Sequence, residues 1–322
     1  MKMSTKKMAL TGFAAAMAVS AGMTAYAKEE VYKIGVCEQS QHLAISQATE
    51  GFKDALIEKF GERVSFDVQN AGGDLSNCTM IINSFISENV DLIMANATNA
   101  FQAAVAGTAD IPILGTSVTD YAAALDLDEW TGIVGTNVSG TSDCAPLSEQ
   151  ADMIMELLPD AKSIGILYCS AEPNSVYQAA IIEDCLTESG CAAEIKQYTF
   201  TDTNDIASVV TNAAEKCDVI YIPTDNTAAS NAEIINNICE PAGIPVITGE
   251  ENTCKVCGIA TLTIDYYELG YETGEMAVEI LENKADISEM PVQYAGNVTK
   301  KYVPERCETL GITVPDGYEA VS

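Results

Sequence analysis

One phrase occurs twice in this chain. Asp91-Leu-Ile-Met-Ala-Asn-Ala-Thr-Asn-Ala100 and Asp218-Val-Ile-Tyr-Ile-Pro-Thr-Asp-Asn-Thr227 align position by position, and each leads to a second apolar phrase, Ile111-Pro-Ile113 or Ile244-Pro-Val246. A short apolar run that ends in hydroxyl and amide residues is the pattern of a parallel strand whose carboxyl end opens onto a crevice. Two such edges predict two facing lobes built alike. The copies differ in charge at their polar ends. The first has Ala97-Thr98-Asn99 where the second has Thr224-Asp225-Asn226, so only the second carries a carboxylate there.

Periodicity extends both copies into full lobes. The first reads as strand 33–38, helix 44–60, strand 64–68, helix 75–88, strand 91–95, helix 99–107 and strand 111–115, with a further strand over 133–138 leaving the lobe. The second reads as helix 147–158, strand 163–168, helix 175–189, strand 194–200, helix 205–216, strand 219–223, helix 228–242 and strand 245–248. Strand 258–263 then feeds helix 267–283, and the tail adds a short strand near Tyr302 and a small helix before Leu310. Right-handed crossovers fold each βα run into a parallel sheet covered on both faces. The fold class is α/β, two Rossmann-like parallel-sheet lobes joined by a hinge of three crossings, expected near residues 140, 255 and 295. That divides the chain into 28–140 plus 256–293 for the N-terminal lobe and 141–255 plus 294–322 for the C-terminal lobe. A chain of 322 residues suits two such domains.

Residues 1–27 read as a secretory signal peptide. Lys2, Lys6 and Lys7 precede an Ala-rich apolar stretch, and Ala25-Tyr-Ala27 supplies a small-residue site with cleavage expected after Ala27. The apolar stretch is short for a membrane span of about 20 residues. The first cysteine is Cys37, within the first predicted strand, so no lipid-anchor cysteine follows the apolar stretch. An exported chain, periplasmic or extracellular and not membrane-spanning after cleavage, is expected. With 47 acidic against 16 basic residues, the formal charge of −31 argues against nucleic acid or an anionic membrane as partner. The acids are scattered, as on a solvated surface.

The chain has eleven cysteines, many within predicted strands and helices, which suits reduced core fillers. Cys254-Lys-Val-Cys257 is the one redox-like spacing, but it precedes a strand instead of opening a helix after one, so a structural turn or local disulfide is expected there. His42 is the only histidine. There is no nucleophile elbow, no phosphate loop and no metal-ligand spacing, so neither an enzyme nor a cofactor or metal is expected.

The predicted strand ends carry the positive signal. Those of the first lobe offer Gln39, Ser40, His42, Thr98, Asn99, Ser117, Thr119 and Asp120; those of the second offer Glu172, Asn174, Ser175, Asp225, Asn226, Thr227, Glu250 and Glu251. Hydroxyls and helix-start amides suit a carboxylate, and buried acids suit an ammonium. Together they specify a zwitterion such as an α-amino acid. Taken singly, each of these residues reads equally well as a helix cap.

Longer motifs add a resemblance. Gly51-Phe-Lys-Asp-Ala55, Phe66-Asp-Val-Gln-Asn-Ala71, Gly140-Thr-Ser-Asp143, Leu158-Pro-Asp-Ala-Lys-Ser-Ile-Gly-Ile-Leu-Tyr168, Glu172-Pro-Asn-Ser175, Pro223-Thr-Asp-Asn-Thr227 and Ile264-Asp-Tyr-Tyr-Glu-Leu-Gly270 are similar to the ABC-transporter substrate-binding family that includes tryptophan and tyrosine receptors. The resemblance runs from about Tyr32 to Pro315. It implies the two-lobed type I periplasmic-binding-protein fold, a monomer, an aromatic or hydrophobic amino acid as ligand, and an ABC permease with its ATPase as partner. By motif it places Asn174 and Ser175, with Thr141, Ser142 and Asp143, on the ligand's carboxylate side, puts Asp225 on the ammonium, and draws Asp265 into the site. Three departures stand out: no lipoprotein cysteine, an unusual cysteine content, and His42-Leu43 where the family often has His-Pro. The alternatives are a sensor presenting its solute to a receptor kinase or chemoreceptor and, further off, a thiol oxidoreductase using Cys254 and Cys257.

Overall fold

The computed structural model describes residues 31–321, so the expected signal peptide lies outside the described residues. The first lobe runs β1 (Tyr32–Glu38), α1 (Leu43–Phe60), β2 (Val64–Asn70), α2 (Leu75–Glu88), β3 (Leu92–Asn96), α3 (Thr98–Gly107), β4 (Ile113–Val118), α4 (Tyr121–Leu125) and β5 (Val138–Ser142). The second runs α5 (Leu147–Leu157), β6 (Ser163–Cys169), α6 (Pro173–Glu188), β7 (Glu194–Phe200), α7 (Thr203–Ala214), β8 (Val219–Ile222), α8 (Asn226–Ser230), α9 (Ala232–Ala242), β9 (Val246–Thr248), α10 (Glu251–Cys257) and β10 (Ala260–Thr263). The chain then returns to the first lobe with α11 (Tyr266–Leu281) and β11 (Gln293–Tyr294), and ends in the second with β12 (Thr299–Tyr302), α12 (Pro304–Leu310) and β13 (Glu319–Ala320).

The doubled phrase marks a doubled sheet. Strand order is β11-β5-β4-β3-β1-β2 in one sheet and β13-β12-β10-β9-β8-β6-β7 in the other, so β1 to β5 and β6 to β10 follow the same path. All pairs are parallel except β10 with β12. Even the opening aspartates do one job. Asp91 accepts the Lys33 N–H at 2.7 Å and Asp218 accepts the Lys162 N–H at 2.8 Å, each pinning the start of the neighbouring strand.

The strands are continuously apolar because both faces are covered. In β3, Leu92 and Met94 pack with Phe52 and Leu56 of α1, while Ile93 and Ala95 pack with Phe85 and Phe101 of α2 and α3. In β8, Val219 and Tyr221 face one core and Ile220 and Ile222 the other. Helices α1 and α11 cross so closely that a Cβ on Gly51 would strike the Tyr267 carbonyl, and one on Gly270 the Ala48 carbonyl. Backbone contact of that kind leaves room only for hydrogen at both positions.

Four sequence expectations change. The strand expected over 133–138 starts at Val138, because Gly132 and Gly135 hold positive φ of 85° and 81° and turn the preceding segment. The helix expected over 228–242 breaks into α8 and α9 at Asn231, whose φ of −121° is not helical. Strand β10, assigned to the first lobe by a crossing near 255, pairs with β9 and β12 in the second sheet, so the chain leaves that lobe after Thr263. Finally, Cys254-Lys-Val-Cys257 forms neither a turn nor a disulfide. It lies in α10, capped by Glu250 at its start and by Arg306 at its end, where the guanidinium collects the carbonyls of Cys254, Lys255, Val256 and Gly258. All eleven cysteines are free thiols. Burial pushes the Cys254 and Cys257 thiols far above their ordinary range, away from the thiolate that redox chemistry uses. Among the described residues no helix is long and apolar enough to cross a membrane.

Candidate functional site

The carboxyl ends of β1, β3 and β4 face those of β6, β8 and β9 across the cleft, and the two sides are satisfied very differently. On the first lobe, α3 begins after Ala97, which has no side chain able to cap it and holds a φ of 80°. Gln39, buried at the end of β1, supplies one acceptor to the helix start, taking the Asn99 N–H at 2.9 Å. Next to it, the hydroxyls of Thr98, Ser117 and Ser40 are buried without a partner. Ser117 sits at φ 54° in the register shift of β4 between Gly115 and Val118. Positive φ at a non-glycine residue costs about 1–3 kcal/mol, and an unsatisfied buried hydroxyl about as much. Such costs gathered at one place mark a binding site better than a core.

The second lobe satisfies itself with acids. Asp225 is the cap of α8, and both its oxygens are taken: one by the Ala228 N–H at 2.7 Å, the other by the Cys169 N–H at 2.7 Å, with the Ser175 hydroxyl also bonded to it. Burial, then the charge of Glu172, raises the Asp225 carboxyl to about 7. Glu172 accepts the N–H groups of Asn226 and Thr227 at 3.1 and 2.8 Å, the Asn226 amide at 2.7 Å and the Thr227 hydroxyl at 2.6 Å. Two carboxylates thus occupy the start of α8, the place that stays open on α3. Asn174 donates to the Thr224 carbonyl at 3.0 Å, which leaves its own carbonyl oxygen buried and unpartnered. Glu250 is fully engaged in capping α10 through Asn252 and Thr253.

Asp143 differs from these acids. It lies where the chain first passes between lobes, it caps no helix, and its oxygens accept hydroxyls from Thr119 at 3.1 Å and Tyr266 at 2.9 Å. Burial raises its carboxyl above the usual range. Among the described residues it forms no ion pair. A buried carboxylate held by two hydroxyls and no cation is poised for a positive charge.

Hydrogen bonds close the cleft. His42 donates from Nε2 to Asn226 Oδ1 at 3.0 Å, Asn252 donates to Gln47 at 3.1 Å, and Gln178 donates to Thr119 at 3.4 Å. Of the eight buried polar side-chain atoms without a partner among the described residues, five belong to Ser40, His42, Thr98, Ser117 and Asn174 at these facing ends.

Most of the sequence candidates therefore meet: Gln39, His42, Thr98, Asn99, Ser117, Thr119, Asp143, Asn174, Ser175, Asp225, Asn226, Thr227 and Glu250 all lie at the facing ends or the first crossing. Others are turned elsewhere. The Thr141 hydroxyl bonds Thr116 and Thr273, and Ser142 donates to the Thr119 carbonyl, inside the first lobe. Asp265 is exposed and caps α11, on a separate cavity beside Gln47, Asn252 and Lys255. Sequence reasoning missed Gln178 and Tyr266. Gln178 lies one helical turn after Asn174 and so shares its face of α6, a signal that was available.

Comparisons with known proteins identify the family. A family model described as ABC transporter substrate binding protein matches residues 33–320. A tyrosine-binding protein of Clostridioides difficile (strain R20291) is 34% identical over 262 residues, covering 80% of this chain and 75% of that one. An ABC domain from Streptococcus pneumonia, solved in complex with L-Trp, is 30% identical with a TM-score of 0.84, covering 89% of this chain and 97% of that one. A substrate-binding protein with adhesive properties from Clostridium difficile, solved ligand-free and open, is 35% identical yet superposes with a TM-score of only 0.66, covering 91% and 99%. The more identical relative is thus the poorer match in overall shape. With its two parallel-sheet lobes, three crossings and matched length, the chain belongs to the ABC transporter substrate-binding protein family and has the type I periplasmic-binding-protein fold.

Proposed function

We propose that this protein binds an α-amino acid between its lobes and delivers it to the permease of an ABC importer outside the cytoplasm. The observation that carries the reading is the asymmetry of the two helix starts. At α8 two carboxylates already fill the positive end, whereas at α3 that end is open beside the partnerless hydroxyls of Thr98 and Ser117. A ligand carboxylate there meets unpaired N–H groups, hydroxyl donors and the positive end of the helix dipole. The ammonium then goes to Asp143, with the Asn174 carbonyl oxygen as a second acceptor, in place of Asp225, whose oxygens serve the backbone. The relatives that bind tyrosine and tryptophan support the amino-acid class, and the family supports delivery to a permease.

A ligand that binds only the folded state stabilises it by roughly 2.7 kcal/mol at a hundredfold excess over Kd. Thermal denaturation with the twenty amino acids and common sugars is expected to show a rise in Tm with at least one amino acid and none with the sugars. No shift with any amino acid would end this reading.

A further inference from the structure

Beside the amino-acid site lies a second compartment of about 390 Å³, lined in part by Asn99, Glu172 and Asn226. Asn99 follows Thr98 in α3, and Glu172 is bonded to Asn174 and Asn226, so this compartment adjoins the place where the ligand's backbone groups are held. Its walls contain no aromatic ring and no large aliphatic side chain; the apolar members are Cys169 and Ala171. They contain no Lys, Arg or His either, but three carboxylates, Asp74, Glu172 and Asp202. Ser40, only 4% exposed, also lines the compartment, and its hydroxyl has no partner.

An apolar ligand side chain placed here would strip water from carboxylates and a buried hydroxyl and return nothing for it. A side chain ending in a donor would partner the Ser40 hydroxyl and add a bond to carboxylates that already accept helix-start N–H groups. Resting on the amino-acid reading above, we infer that this compartment receives the ligand's side chain and selects amino acids whose side chains end in a hydrogen-bond donor: a hydroxyl, an amide or an ammonium.

Pairs of ligands that differ at the distal group test this directly. Isothermal titration of the protein with L-tyrosine against L-phenylalanine, L-glutamine against L-methionine, and L-lysine against L-norleucine is expected to show, in at least one pair, the donor-bearing member binding at least about tenfold more tightly. Ser40→Ala and Asp202→Asn, tested singly, are each expected to shrink that ratio through weaker binding of the donor-bearing member. Binding with every ratio below tenfold, or a ratio that neither variant moves, overturns the inference and leaves the amino-acid reading standing. Failure of all six to bind overturns the inference alone, and the amino-acid reading falls only if none of the twenty amino acids binds.

Discussion

The starts of α3 and α8 occupy the same place in two copies of one sheet, yet they are finished in opposite ways. The start of α8 is closed by its own chain: Asp225 caps it, and Glu172 takes the next two N–H groups. The start of α3 is left unfinished, with Ala97 at the cap in a strained conformation and hydroxyls of Thr98 and Ser117 unpaired beside it. A duplicated scaffold supplies two equivalent anion sites, and this chain fills one with its own acids and keeps the other for a ligand. The strain and the unpaired groups belong to the lobe that is incomplete by itself.

The sharpest way to break this comparison is at Asp143, the acid on neither helix. Asp143→Asn is expected to weaken amino-acid binding by about 2–5 kcal/mol, the cost of removing one partner of a buried charge pair, while leaving the Tm of the ligand-free protein unchanged or raised. Titration calorimetry and thermal denaturation check the two halves; retained affinity would return the ammonium to another acid.

Asp225 gives the next effect, and it is a stability effect. Burial beside Glu172 raises its carboxyl to about 7 in the fold from an ordinary 3.8, so the folded state holds a proton that the unfolded chain releases between those values. Stability from this group therefore rises as pH falls from above 7 towards 4, by on the order of a few kcal/mol. Asp225→Asn is expected to flatten that dependence, read from denaturant midpoints at several pH values, because Asn still caps the helix without titrating. A variant whose profile keeps the wild-type slope would show that another group carries it.

The hydroxyls then separate the lobes. Thr98→Val and Ser117→Ala are each expected to weaken ligand binding by about 1.5–3 kcal/mol, the worth of a hydrogen bond to a charged group. Ser175→Ala, on the self-satisfied side, is expected to change affinity less than about threefold, since its partner is Asp225. Equal losses on both sides would erase the asymmetry. The smallest effect is conformational. Ala97→Gly is expected to raise stability by about 1 kcal/mol, as glycine accepts a φ of 80° without strain but loses more entropy on folding.

Much of this was legible in the chain. Apolar runs with polar ends placed β3 and β8 within a residue or two, because strands covered on both faces must be apolar throughout. The ends that open on the cleft followed from topology, which is why Gln39, Thr98, Ser117, Asn174 and Asp225 could be named as a set. Roles were not legible. Aligned by sequence, Thr98 stands opposite Asp225; in the fold the caps are Ala97 and Asp225, so the loop after β8 is one residue longer and Thr98 stands opposite Asn226. The Cys254-Lys-Val-Cys257 segment misled for a related reason: it is helical through Glu250 and through Arg306, about fifty residues away, and no local pattern contains that partner.

Sequence alone determined the two lobes, their repeated run of strands and helices and the chemistry of the residues at the cleft, since these depend on local periodicity and on residue type. Only the tertiary structure decided which of those residues are spent on the protein itself. Asp225 and Asp143 are the same side chain, but one meets backbone N–H groups from two elements and the other meets hydroxyls and no cation. Whether a buried polar group is satisfied depends on its neighbours in space, and those neighbours come from parts of the chain that the sequence does not place beside it.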